Sequence, residues 1–363
     1  MVYEIMTAIV LILGLISLNK YKLDYKKLFV SFAGIAFAVF MGFRSVRVGT
    51  DTLGYVGAFE ESETLSFSFL GNVFREKEPL YYALQALVRT VTDNYTVFFT
   101  IIAIFLVFSV CRFIYKYSAN PTMSFIAYMS MMYFAFNLAG IRQTIALGIL
   151  LFAMDAMLEK KPIVAILLVG LASLFHISSL VGIAIIAIYY LPLNAIYIAI
   201  CAALSLFMYL SGNSFWKRVV EIIWEDSRGY EEEFGGTSTL ILLLLVAAGI
   251  AFIAPKIFTR KSKLEKLDEE EQKFIRTNAY FYKLLLFSIP FQVLAIYQAN
   301  AFRVAMIFHI VILAVLPNAV RSVKDYRERA ILNIGLIVCF LIQLFVFTYG
   351  VADINPYTFF WQV

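Results

Sequence analysis

Charged side chains are scarce in this chain. They make up 15% of its 363 residues, against 62% hydrophobic, whereas about a quarter of a soluble domain is charged. The deficit excludes a free-standing soluble fold and leaves an integral membrane protein. Cysteine is equally rare. Cys111, Cys201 and Cys339 all fall in or beside apolar runs, which gives neither a disulfide framework nor a metal site. No metal-ligand spacing, P-loop, G-x-S-x-G or dinucleotide fingerprint occurs. Their absence argues against an ATP-driven pump and against a nucleotide-sugar enzyme with a cytoplasmic catalytic domain. The first apolar run, Val2 to Leu18, has no basic n-region before it and no Ala-x-Ala site after it, so it reads as a retained span.

Apolar runs then recur from end to end at roughly 20-residue spacing, the period of helical spans, since barrel strands would be shorter and would alternate. Spans are expected near 2–18, 28–43, 95–111, 122–138, 142–158, 194–211, 237–255, 279–298, 301–317 and 330–349. The uncharged run 162–191 is ambiguous, being long for one span and short for two. The net charge of +5 acquires meaning only when sorted by side. The lysine-rich "NKYKLDYKK" (19–27) places itself inside by the positive-inside rule. If 162–191 crosses once, the basic segment 256–278 and "RSVKDYRER" (321–329) become external; if the chain turns back at His176, both become cytoplasmic. With the turn, inside loops hold 19 Lys/Arg and outside loops 10, so the turn is preferred. Each half of the run is then only about 21–23 Å long at helical rise, short of a roughly 30 Å hydrocarbon core, and His176 is expected to lie sunken below the outer surface. The expectation is an all-α, polytopic single membrane domain over 1–363 with about 12 spans, an external loop 44–94, a second acidic external loop 212–236 and a basic cytoplasmic loop 256–278.

The outer ends of these spans collect polar residues. Arg44, Arg47 and Asp51 follow span two. Glu78 opens "EPLYYALQALV", whose Leu80, Leu84, Leu87 and Val91 share a face; Pro79 suits a first helical turn, and the helix is expected to lie in the membrane interface. Arg142 and Gln143 open span five, Arg303 begins span eleven, and "DINPY" (353–357) follows the last span. Each arginine alone could snorkel to the headgroups. Four on the less basic side favour a bound anion, and the planar guanidinium suits phosphate oxygens. A lipid diphosphate would present such an anion at this surface. His176 reads either as a hydrogen-bonded packing residue or as a base, and His309 likewise. Asp155 reads as a solvated helix end, "GTD" (49–51) as a turn with Asp51 capping a helix, "NPY" as a turn, and "EKLDEEEQKFIR" (265–276) as a solvated helix.

The chain resembles the EpsG-like branch of the Wzy polysaccharide polymerases. The likeness runs in order through "FRSVRVGTDTLGYVGAF", "EPLYYAL", "GIRQTIALGILLFAM" with "EKK", "LASLFHISSLV", an arginine at 303 and "NPY" near the end. Its most specific parts are Gly49, Asp51 and Tyr55 in G-x-D-x-x-x-Y, the pair Arg142-Gln143, and Phe-His-x-Ser at 175–178; the stretch 192–290 matches poorly. The resemblance implies a GT-C-like glycosyltransferase of the bacterial cytoplasmic membrane that needs neither metal nor cofactor. It would transfer a growing glycan from a polyprenyl diphosphate, undecaprenyl above all, onto the non-reducing end of a lipid-linked repeat unit at the outer face. On that reading Arg44, Arg47, Arg142 and Arg303 meet the diphosphate, and His176 is the general base, with Asp51 or Glu78 as alternatives. Gln143 and tyrosines 55, 81, 82 and 357 would contact substrate. Membrane lipid, a flippase and a chain-length regulator are the implied partners, and nucleic acid is not. A flippase for the same lipid and a glycan ligase are the rival functions. A flippase needs polar residues through the depth of the membrane, whereas here they gather at one side; a ligase would use the same residues. A scaffold for the export complex is a third.

Overall fold

A computed structural model describes residues 2–17, 23–223, 236–259 and 261–362. Residues 224–235 of the acidic loop expected at 212–236, and part of the lysine-rich loop 19–27, lie outside the described residues. Among the described residues there is no β-strand, only an isolated antiparallel bridge between Arg44 and Phe359. Among the described residues five helical stretches are long and apolar enough to cross a membrane: 25–42, 95–117, 141–158, 195–212 and 326–348. A pair bent by 41°, 300–309 with 312–321, makes a sixth. Most of the remaining expected spans appear as apolar helices of 10–17 residues. With every backbone polar group of a helix bonded within it, this is the architecture a bilayer permits. The protein is an all-helical, multi-pass membrane protein.

The chain divides into two compact units, residues 1–183 with 337–363, and residues 184–336. The first unit holds α1 (Val2–Ser17), α2 (Leu23–Gly42), α3 (Thr52–Glu60), α4 (Phe67–Val73), α5 (Pro79–Val91), α6 (Tyr95–Tyr117), α7 (Pro121–Ser130), α8 (Tyr133–Ala139), α9 (Ile141–Leu158) and α10 (Pro162–Phe175). Prolines stand at the N-termini of α5, α7 and α10, where their missing N–H costs nothing. α2 and α6 pack closely: a Cβ on Gly34 would sit 2.7 Å from Cys111 Sγ, so the smallest residue is required there. The expected span 122–138 is broken instead of continuous. Met132, in the left-handed region at φ 66°, separates α7 from α8, and the carbonyl of Ser130 accepts from Thr348 Oγ1 at 2.9 Å. The bland stretch "MSMMYF" carries no Gly or Pro to announce the break.

α9 is the centre of this unit, buried along almost its whole length, while α10 turns Ile163, Leu167 and Leu171 outward, as a lipid-facing helix does. Lys26 Nζ donates to the Ser118 carbonyl at 2.6 Å, and Arg112 and Lys116 meet Asp155. Those contacts gather the start of α2, the end of α6 and the end of α9 at one end of the unit. The start of α9, the end of α10 and the start of α5 form the other.

The second unit holds α11 (Ile183–Tyr190), α12 (Ala195–Ile223), α13 (Thr237–Ile253), α14 (Lys261–Leu264), α15 (Glu269–Leu294), α16 (Ala299–His309), α17 (Ile312–Arg321) and the start of α18 (Tyr326–Ile342). α15 begins on Asp268, whose carboxylate caps Glu271 N at 2.8 Å. The charged segment expected as a separate solvated helix therefore runs without interruption into an apolar one. Lys283, in the middle of α15 and buried, donates to the carbonyls of Ile188 (2.6 Å), Tyr189 (3.0 Å) and Leu191 (2.5 Å) at the end of α11. A cation at a helix C-terminus meets both the open carbonyls and the negative end of the dipole.

Candidate functional site

Three helix ends meet in the first unit. Pro79 fixes the first turn of α5 and leaves Glu78 at the N-cap, where its side chain makes no capping hydrogen bond. It reaches across instead. Glu78 Oε2 accepts from Arg142 Nη1 at 2.7 Å, and Oε1 lies 2.7 Å from His176 Nδ1 and 3.2 Å from the backbone N–H of Ile177. Arg142 stands in the first turn of α9, where the helix dipole disfavours a cation. The carboxylate offsets that cost. His176 is extended, at φ −154° and ψ 112°. It ends α10 after Phe175 and hands the chain to a 3-10 turn, Ile177–Gly182. The helix thus breaks at the residue on which the sequence pattern centred.

Exposure falls unequally across the three side chains: 7% for Glu78, 15% for His176 and 38% for Arg142. The carboxylate is enclosed, and its two partners keep a side open. Burial alone would raise the Glu78 carboxyl, but the hydrogen bonds and charges of His176 and Arg142 outweigh it and hold it down at about 2. It is a carboxylate at any physiological pH. Facing that acceptor, a neutral imidazole is the tautomer with its proton on Nδ1 and its lone pair on Nε2. The Arg142 guanidinium lies 5.2 Å from the ring centre of Tyr81 and 5.7 Å from that of Tyr55, within cation–π reach. An oriented imidazole beside a half-open guanidinium can take a proton from a hydroxyl and stabilise an anion.

The sequence profile of the EpsG family matches residues 27–359. The chain belongs to the EpsG family. Membership makes it a polysaccharide-polymerase-type membrane protein, glycosyltransferase-like in its chemistry. No curated protein and no solved structure matches it.

The remaining candidates of this EpsG-family chain fall into different settings. Tyr81 is buried and T-shaped against Tyr55, with its hydroxyl accepting from Gln85 Nε2 at 3.3 Å; burial pushes its phenol well above the ordinary value. Gln143 is buried on α9. Arg44, buried, donates from Nη1 to the Met41 carbonyl (2.5 Å) and from Nη2 to that of Leu138 (3.1 Å), and lies 4.2 Å over the ring of Phe99. It closes the ends of α2 and α8, and burial lowers its guanidinium only to about 10, so it remains a cation. Arg47 and Asp51 are exposed on the following loop. Asp51 stands at the N-cap of α3 without the capping bond expected of it. Gly49, at φ +96°, donates to Asp353 O at 3.2 Å, and Thr50 N donates to Ala352 O at 3.2 Å. The C-terminal segment is thereby stitched to this loop. Tyr357 is buried there, its hydroxyl on the Phe40 carbonyl at 2.5 Å. Arg303, half-buried, and His309, fully buried, both stand on α16 of the second unit. Among the described residues no three His, Cys, Asp or Glu side chains converge as a metal site requires.

Two features escaped sequence reasoning. Glu78 is the hub, bonded to both His176 and Arg142; its signals were its position directly before a helix-starting proline and its place in "EPLYYAL". Asp155 is not a solvated helix end. It is buried and accepts from Arg112, Lys116 and Tyr117. It lies 13 residues along α9 from Arg142, about 20 Å at helical rise, and the basic side chains of α6 that face it are 39 and 43 positions away in sequence.

Proposed function

We propose that this EpsG-family protein is a polysaccharide polymerase of about twelve spans with a GT-C-like fold, working as one membrane domain in the bacterial cytoplasmic membrane. It moves a growing glycan from polyprenyl diphosphate onto the non-reducing end of a lipid-linked repeat unit at the outer face. The observation that carries this reading is the hydrogen-bonded set His176–Glu78–Arg142, with each side chain 2.7 Å from the carboxylate.

In the proposed reaction, Nε2 of His176 takes the proton from the acceptor hydroxyl as its oxygen attacks the donor's anomeric carbon. The bond from that carbon to the diphosphate oxygen breaks, and the electron pair leaves with the polyprenyl diphosphate. Arg142, whose guanidinium keeps an open side, stabilises the charge that develops on the leaving group; exposed Arg47 is assigned the same task. Glu78 fixes the tautomer and direction of His176, and Tyr55 borders the guanidinium on the sugar side. The diphosphate is already an activated leaving group, so the scheme calls for neither nucleotide nor metal. Charge density supports the outer-face reading: the short segments at the other end of the first unit, 19–27, 112–121 and 159–161, are dense in lysine and arginine, and short basic loops stay cytoplasmic.

The test uses purified protein in lipid with lipid-linked repeat units and no nucleotide. A ladder of longer lipid-linked glycans, lost in His176→Ala and Arg142→Ala and indifferent to EDTA, is the expected result. Transfer to a different acceptor without a ladder would make the protein a ligase. EDTA inhibition reversed by a divalent ion would overturn the metal-free scheme.

A further inference from the structure

The loop between α2 and α6 carries a second apolar helix face that the chain itself does not cover. α4 is short, and Ser66 caps it by accepting from Phe69 N at 3.1 Å. Its inner side, Val73 with Phe69, faces the protein. Phe67, Leu70 and Phe74 follow at i, i+3 and i+7, the spacing of one helical face. All three are exposed, Phe67 by 96% and Phe74 by 70%. A stripe of two phenylalanines and a leucine in water would be an aggregation hazard on a monomer.

Its surroundings identify what covers it. The exposed side of α6, Val97, Ile101, Ile104 and Phe108, is the lipid-facing stripe of a span. That stripe continues through exposed Val91 and Leu87 at the end of α5. α5 is in turn tied to the segment entering α4, since Leu65 N donates to Thr90 Oγ1 at 2.8 Å and Arg89 Nη2 to the Glu60 carbonyl at 3.1 Å. The depth is set as well. α5 starts directly after Glu78, which is hydrogen-bonded to the first turn of α9 and to His176 just past α10, so the start of α5 lies level with span ends. Phe74 is followed at once by exposed Arg75, Glu76 and Lys77, a net cationic run whose arginine and lysine can meet lipid phosphates. The carboxylates Glu60, Glu61 and Glu63 lie beyond the other end of α4.

We infer that α4 is a membrane-seating helix. Phe67, Leu70 and Phe74 enter the acyl boundary of the leaflet at the Glu78 end of the spans, and Arg75 and Lys77 hold the headgroups above them. Beyond α5, this makes the whole 66–91 segment a blade lying in the interface.

The test places spin labels at Phe67→Cys, Leu70→Cys and Phe74→Cys, one at a time, in a Cys111→Ala, Cys201→Ala, Cys339→Ala background. Asn72→Cys, on the opposite side of α4, is the control. Each protein is put into nanodiscs of phosphatidylethanolamine and phosphatidylglycerol, and collisions with oxygen and with a water-soluble nickel chelate are compared by power saturation. The expected result is a several-fold excess of oxygen over nickel collisions at 67, 70 and 74, reversed at 72. Nickel access at all three equal to that at 72 overturns the inference. So does shielding from both reagents, which would mean that protein covers the stripe. No substrate enters the measurement, so its failure leaves the polymerase reading standing.

Discussion

Replacing Glu78 by glutamine changes one oxygen to an amide and leaves the volume alone. The wild-type carboxylate accepts from two side chains at once, at 2.7 Å each. An amide has one acceptor and one donor, so one of the two must lose its partner. If the NH2 faces His176, the imidazole moves its proton to Nε2 and the base is gone; if it faces Arg142, a cation is left against a donor. General-base help is worth about 10²–10⁴ in rate, and a loss of that size in ladder formation is expected for Glu78→Gln. Stability separates this from simple misfolding. The folded carboxyl sits near 2 against an ordinary 4.5, a difference that amounts to about 3 kcal/mol for a group this buried. Because the folded value is the lower one, that stabilisation is complete above pH 4.5, the ordinary value, and is lost as the pH falls toward the folded value of about 2. Wild-type protein should therefore weaken across that window, and Glu78→Gln should be weaker at neutral pH with a flatter slope. A well-folded Glu78→Gln that extends glycans at more than half the wild-type rate would refute the assignment of Glu78 as the group orienting His176.

Other parts of the structure make separate forecasts. Asp155→Asn leaves Arg112 and Lys116 facing a neutral group and should cost about 3 kcal/mol, the low end for a broken buried pair, because both cations are partly solvated; thermal unfolding in detergent measures it. Lys283→Met keeps the length of the side chain but abandons three carbonyls, so a loss of about 2–4 kcal/mol is expected, seen as a lower melting temperature. Arg44→Lys can reach only one of the two carbonyls that Arg44 holds, and should lose about 1–3 kcal/mol by the same measurement. Gly34→Leu must push α2 off α6 at Cys111, and should abolish folded protein on size exclusion, whereas Gly54→Leu, with open space around it, should not.

Much of the fold was legible because apolar run length and helix-starting prolines are local signals. The breaks were not all so. The one at His176 was readable from an uncharged run too long for one span and too short for two. The one at Met132 was invisible, since it depends on Thr348 supplying a hydroxyl from more than two hundred residues away. The same division holds for the site. His176, Arg142 and Glu78 each stood out at a span end, but their order of importance did not, because a carboxylate becomes a hub only through what two distant helix ends bring to it. Asp155 and Lys283 were misread or overlooked for the matching reason: a charge in an apolar helix declares that it has a partner without declaring which.

α9 carries an ionic fastening near each terminus, Glu78 at Arg142 and the α6 cations at Asp155, and almost everything between is walled in. A rod held so is fixed along its own axis against its neighbours. The segment bearing the histidine is different, since its α-helix stops at Phe175 and resumes at Ile183 only after a 3-10 turn. The arginine side of the site therefore stands on a continuous helix and the imidazole side on an interrupted one, with Glu78 bridging the two.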